Sequence, residues 1–142
     1  MSAKELYNSL KKEYENYLVI IKDKQYCKTY GNDAKIMWYV FNYKYVNNMV
    51  TFGNNAFDKV VNKLKKLNIN FIIISKVEEL LSYYNNDSNY LSYYKLSQES
   101  YVIIKKENIL IDRLKSIYEK NPRYYNKIYS FFKELEQFDT DN

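Results

Sequence analysis

Tyr17-Leu18-Val19-Ile20-Ile21-Lys22-Asp23-Lys24-Gln25-Tyr26-Cys27-Lys28-Thr29-Tyr30-Gly31-Asn32-Asp33-Ala34 is the stretch from which the fold reading starts. Tyr17 to Ile21 is a short apolar run rich in β-branched residues, the pattern of a buried strand. Asp23-Lys24 offers a turn into a second strand, Gln25 to Tyr30. Strand alternation predicts Tyr26, Lys28 and Tyr30 on one face and Cys27 on the other. Gly31-Asn32-Asp33 then breaks the strand and supplies an N-cap, after which Ala34 to Phe41 reads as an apolar, largely buried helix. Met37, Trp38 and Tyr39 fall in that helix and are assigned to the core.

Working outward towards the N-terminus, Ser2-Ala3-Lys4-Glu5 is a capping box, and Leu6, Tyr7, Leu10 and Tyr14 recur at helical spacing. A helix is expected over 3–15. On the other side, Val46 to Phe52 contains a short strand punctuated by Asn47-Asn48. Asn54 or Asn55 caps a helix whose apolar stripe is Phe57, Val60, Val61, Leu64 and Leu67, and Asn68 stands at its C-terminal cap. Phe71 to Ser75 is another apolar strand, followed by a short helical piece over 77–84. After the break at Asn85-Asn86-Asp87-Ser88, a helix is expected over 89–119, carrying Tyr90, Tyr94, Tyr101, Ile104, Ile111, Leu114 and Tyr118. Asn121-Pro122 pairs an N-cap with proline at the first helical position, and Tyr125, Ile128, Phe131, Phe132 and Leu135 mark a last helix to about Phe138. The tail from Asp139 to Asn142 is expected to fray. The fold class is α+β: a small mixed sheet with flanking helices, followed by an antiparallel helical hairpin. Residues 1–142 are read as a single domain, an α/β part over 1–76 with a helical extension over 77–142 packed on it.

Composition narrows the function. The 142 residues suffice for one hydrophobic core, with 46% hydrophobic and 27% charged residues. No apolar run reaches the roughly 20 residues of a membrane span. The N-terminus lacks the apolar core of a signal peptide, and the single Cys27 cannot form an internal disulfide, so a cytoplasmic location is expected. There is no histidine, the usual general base and commonest metal ligand, and the two glycines, Gly31 and Gly53, cannot build a phosphate-cradling loop. Cys27 has no histidine to activate it. The expectation is a non-enzymatic binding protein without metal or small-molecule cofactor and without a membrane partner. The net charge of +5 suits an anionic partner. It is carried almost wholly by lysine, however, and Lys, Asn, Ile and Tyr are also what AT-rich codons specify.

The segment from Tyr14 to Ala34 resembles the start of the N-terminal mismatch-recognition domain (domain I) of the MutS DNA mismatch repair family. Ile21-Lys22 matches the family's aromatic–arginine step, Asn32-Asp33-Ala34 its helix start, and the family's turn glycine falls at Lys24. Further on, Phe57 to Leu64, Asn68 and Phe71 to Ile74 are similar to its helix, break and strand, so the resemblance covers about residues 14 to 76. In that family an aromatic-x-Glu triplet wedges against the mispaired base and hydrogen-bonds it. The resemblance places the aromatic at Tyr26 and the glutamate at Lys28. An ammonium only donates, which suits phosphate better than a base edge. The implied nucleic-acid-binding set is Tyr26, Lys28, Lys22 and Lys24, with DNA as the partner, distorted or single-stranded. The family's connector, clamp, lever and ATPase parts have no counterpart in this sequence. The alternative is a protein–protein interaction module, such as a mobile-element or virus-type regulator that keeps the fold without DNA binding. A protein could then dock on the tyrosine-rich face of the helical hairpin, although those helices also suit covering the sheet.

Overall fold

The computed structural model describes residues 1–141, which form two compact units, Met1–Tyr101 and a second from Val102 onward. The first is built on a five-stranded mixed sheet. Helix α1 (Ala3–Lys11) opens with the capping box, Ser2 Oγ accepting from the Glu5 amide and the Glu5 carboxylate accepting from the Ser2 amide. It ends four residues earlier than helical spacing suggests. Strands β1 (Leu18–Asp23) and β2 (Tyr26–Tyr30) form an antiparallel hairpin, and helix α2 (Gly31–Phe41) follows directly. Strand β3 (Met49–Gly53) pairs antiparallel with β2. Helix α3 (Phe57–Lys66) leads to β4 (Phe71–Ser75), which returns parallel to β1, and β5 (Glu79–Tyr83) closes the order β3-β2-β1-β4-β5. The helix α4 (Tyr90–Lys120) follows, then α5 (Tyr124–Asp141).

The fold class read from the sequence is therefore the observed one, with local corrections. The piece over 77–84 is a strand, not a helix. Val77, Leu80 and Leu81 carry helical spacing, but β4 presents a free edge, and pairing along it satisfies the backbone of β5. Leu81 and Tyr83 turn inward on the core and Glu79 outward. The sheet thus runs past residue 76. Neither asparagine–glycine break acts as the cap expected of it: α2 begins at Gly31 after Tyr30, without a side-chain cap, because Asp33 is drawn into the core instead. Likewise Asn54 and Asn55 sit in a 3-10 turn ahead of α3 rather than capping it. Tyr39 is exposed, so of the three α2 residues assigned to the core Met37 is buried, Trp38 packs at its margin, and Tyr39 faces out.

Two apolar layers flank the sheet. Leu18, Ile20, Cys27, Val50, Phe52, Phe71 and Ile73 point to the side covered by α2, α3 and the first turns of α4, where Tyr90 is buried. Val19, Ile21, Tyr30 and Ile72 point to the other side, covered by α1 through Ala3, Leu6, Tyr7 and Leu10. β1 and β4 are covered on both sides, which is why they read as continuous apolar runs rather than alternating ones. The turns use the left-handed region where the chain reverses: Lys24 (φ 60), Asn47 (φ 54), Asn48 (φ 62) and Asn68 (φ 58). Asn47-Asn48 form a two-residue reversal closed by Val46 and Met49, the geometry that asparagine tolerates best among residues with a Cβ. Asn68 also accepts from the Tyr83 hydroxyl and donates to the Asp87 carbonyl, fixing the end of α3 to the segment after β5.

In the second unit the remainder of α4 and α5 lie side by side. Tyr118 meets Tyr125 with ring centroids 5.8 Å apart, while Leu110 and Leu135 line one cleft farther from the connection, so the two helices run antiparallel. Asn121 accepts from the Arg123 amide through Oδ1 in the link between them. The backbone of α5 continues beyond Phe138 to Asp141; the side chains from Asp139 on, and Asn142, where fraying is expected, lie outside the described residues.

Candidate nucleic-acid interface

The β1–β2 hairpin fixes which hairpin side chains share a surface. Asp23 is the register partner of Tyr26, and Ile21 is that of Lys28, so Tyr26, Lys28 and Asp23 emerge on the α1 side of the sheet. Tyr26 is 53% exposed. Its partner on β3 is Gly53, which has no side chain to cover the ring, and a Cβ built there would come within 2.9 Å of Asn55 Oδ1. The exposure of Tyr26 therefore follows from what stands across from it. Lys28 lies two residues along the same face with Thr51 across from it, and its ammonium is 3.4 Å from Asp23 Oδ2. The Lys76 ammonium approaches Asp23 Oδ1 at 3.9 Å from the end of β4. Lys24 is exposed at the turn, in the left-handed conformation that a glycine would take without strain.

Lys22 does not join this group. Its register partner is the buried Cys27, so its side chain leaves the sheet on the opposite side, where its charge counteracts the upward push of burial on the Cys27 thiol. Of the four residues singled out from the sequence, Tyr26 and Lys28 share one face, Lys24 stands at its tip, and Lys22 faces away. Two members of the group escape the sequence reading. Asp23 is visible in hindsight as the carboxylate across a tight turn from Tyr26. Lys76 has no local signal at all, because it arrives through the parallel pairing of β1 with β4, which sets Lys22 against Ser75.

A second cluster is buried and works differently. Asp33, in the first turn of α2, is fully enclosed. Its Oδ2 accepts from the Tyr7 hydroxyl at 2.8 Å and the Val19 amide at 3.1 Å, and its Oδ1 accepts from the Tyr90 hydroxyl at 2.6 Å. The Lys11 ammonium stands 3.1 Å from Oδ2 and also donates to the Tyr17 carbonyl at 2.6 Å. Burial pushes the Asp33 carboxyl above the usual carboxylate range, and Lys11, the two hydroxyls and the Val19 amide pull against that push. Burial, reinforced by the Asp33 charge, holds both the Tyr7 and Tyr90 hydroxyls protonated well above the ordinary tyrosine range. With each donor and acceptor matched, the cluster has no vacant polar position. It joins α1, β1, α2 and α4, and its chemistry is structural.

Among the described residues no group of three or more histidines, cysteines, aspartates or glutamates is placed to hold a metal ion, and no helix is long and apolar enough to cross a membrane. Compared with family models and with curated proteins, the chain matches none of them.

Proposed function

We propose that the protein is a non-enzymatic binding protein that contacts distorted or single-stranded DNA through the α1-side surface of the β1–β2 hairpin. The observation that carries this reading is the exposed Tyr26 ring beside Lys28, uncovered because Gly53 stands opposite. An aromatic face stacks on an unpaired base with little sequence preference, contributing about 1–3 kcal/mol per base. Lys28 and Lys24 supply point charges for phosphate. Asp23, across from Tyr26, offers a carboxylate that accepts from a base edge, which Lys28 cannot do. The resemblance of about residues 14 to 76 to the first domain of MutS supports the same surface, with the left-handed Lys24 at the position of that family's turn glycine. Lys22 is left out of the interface, since it departs on the other side of the sheet.

A fluorescence titration of the full chain with mismatched, single-stranded and regular duplex DNA at low salt tests this. Affinity should fall with salt at a log–log slope of about −2, one phosphate each for Lys24 and Lys28. Tyr26→Ala should weaken binding to distorted or single-stranded DNA by about 1–3 kcal/mol and to regular duplex by much less. Equal losses on both would remove the wedge, and absence of binding to all three DNAs at low salt would end the proposal. A second reading, a protein-interaction module, is favoured by the apolar side chains exposed on both helices beyond Val102.

A further inference from the structure

The carboxylate of Asp23 has hydrogen-bonding capacity that the folded chain leaves open. Its side chain is 22% exposed, enclosed enough to be shielded from bulk water and open enough to be reached. Oδ2 faces the Lys28 ammonium at 3.4 Å, the long limit of a hydrogen bond, and Oδ1 faces Lys76 at 3.9 Å, beyond that limit. Among the described residues no amide or hydroxyl donates to either oxygen, although an ionised carboxylate has about four lone pairs to offer. Asp33, the carboxylate in the core, is the contrast: it accepts from two hydroxyls, an amide and an ammonium. Asp23 is also well placed. As the register partner of Tyr26 it stands directly across the hairpin from the ring. A strand side chain stands off the sheet and leans along its own strand, so Asp23 flanks the ring rather than covering it. A base laid on the ring brings an edge to the carboxylate.

The chemistry of that edge selects the base. Two carboxylate oxygens side by side match two donors side by side. Guanine carries such a pair on its Watson–Crick edge, the ring N–H and the neighbouring amino group, the same parallel arrangement by which an arginine fork meets a carboxylate. Adenine and cytosine set one amino donor beside a ring-nitrogen acceptor, which would face the second oxygen lone pair to lone pair. Thymine flanks its single ring donor with two carbonyls. In a regular duplex cytosine already occupies guanine's donors, so the match exists only where the base is unpaired and its edge is free. The ammonium groups of Lys28 and Lys76 together outweigh the single carboxylate between them, so Asp23 meets the base without repelling the phosphates beside it.

We infer that Asp23 makes the hairpin surface selective for guanine, its two oxygens accepting from the paired donors of an unpaired guanine stacked on Tyr26. The inference rests on the reading of this surface as a DNA-binding one, and it names the base that the surface selects. The test is a fluorescence titration of the full chain at low salt with single strands in which every second base is thymine. The alternate positions carry thymine, 7-deazaguanine or 7-deazahypoxanthine. The deaza bases cannot form guanine quartets; the first keeps both donors and the second lacks the amino group. One bidentate contact discriminates by about 5-fold or more, which the thymine registers dilute to about 3-fold tighter binding of the 7-deazaguanine strand. The 7-deazahypoxanthine strand should lose most of that gain. Asp23→Asn puts a donor where one oxygen stood. It should abolish the preference while binding the all-thymine strand no more weakly than the unaltered chain does. The comparison of bases uses the unaltered chain, so it holds however well this variant folds. Equal affinity for the three strands, 7-deazahypoxanthine as good as 7-deazaguanine, or a preference that survives Asp23→Asn would each overturn the inference and leave DNA binding in place. No binding to any strand would overturn both.

Discussion

In the alkaline range, the buried cluster around Asp33 links stability to pH in a way that two substitutions can isolate. Tyr7 and Tyr90 are each enclosed, and both hydroxyls donate to the Asp33 carboxylate, with the Lys11 ammonium beside them. Their folded-state pKa values lie above the ordinary value of 10.0, with burial as the leading cause and Asp33 as the next. A group whose pKa is raised by folding stabilises the folded state fully below its unfolded pKa, and that contribution is lost as pH rises beyond it. Above about pH 10 the unfolded chain releases both protons while the folded chain keeps them. Each group then costs about 1.4 kcal/mol per pH unit, so the pair costs about 2.7 kcal/mol per unit, or about 5 kcal/mol between pH 10 and pH 12. That is comparable to the whole stability of an ordinary domain. Urea unfolding followed by circular dichroism at successive pH values measures the slope. Tyr7→Phe should lower it by about 1.4 kcal/mol per unit, and Tyr7→Phe with Tyr90→Phe by about twice that. Each single variant should also lose about 1.5–3 kcal/mol at neutral pH, the worth of a hydrogen bond to a charged group. Tyr30, Tyr43 and Tyr45 are also raised by burial and add to the slope in every variant, so the difference between variants is the decisive reading. Equal slopes in the wild-type chain and the double variant would refute the reasoning.

Asp33→Ala should be more damaging than either tyrosine variant, because it strands two hydroxyls, one amide and an ammonium. A loss of at least about 3 kcal/mol is expected, seen calorimetrically as a melting temperature lower by about 12 °C or more. Lys24→Gly should act in the opposite sense, stabilising the chain by about 1 kcal/mol in urea titration, because it removes the cost of a left-handed φ at a residue with a Cβ. A loss of stability there would mean that the Lys24 side chain contributes more than its backbone conformation costs.

The legible parts of the fold are those whose signal is local. Phe71 to Ser75 is a strand with the predicted bounds because an uninterrupted β-branched run leaves little choice, and the Ser2–Glu5 box starts a helix where it should. The stripe Val60, Val61 and Leu64 is buried as its spacing implies. β5 was illegible because its residues carry helical spacing and become a strand only through the edge that β4 provides, a partner outside any local window. Asp33 reads as a cap in sequence because aspartate after glycine so often is one; only the fold brings Tyr7 and Tyr90, 26 and 57 residues away, to claim it instead. The candidate interface divides the same way. Alternation along β2 places Tyr26 and Lys28 together, whereas the departure of Lys22 depends on its register with Cys27, and the arrival of Lys76 depends on parallel pairing.

The span of the Asp33 cluster also orders events during synthesis. Its carboxylate and three of its partners lie within the first 33 residues, but the fourth, Tyr90, follows the last strand of the sheet. A nascent chain that has exposed the hairpin and the N-terminal helix still lacks one donor for a carboxylate that must be enclosed. The last polar tie of this cluster, from Tyr90, therefore forms only after the ribosome has released the start of α4, and contacts of such long sequence separation slow folding.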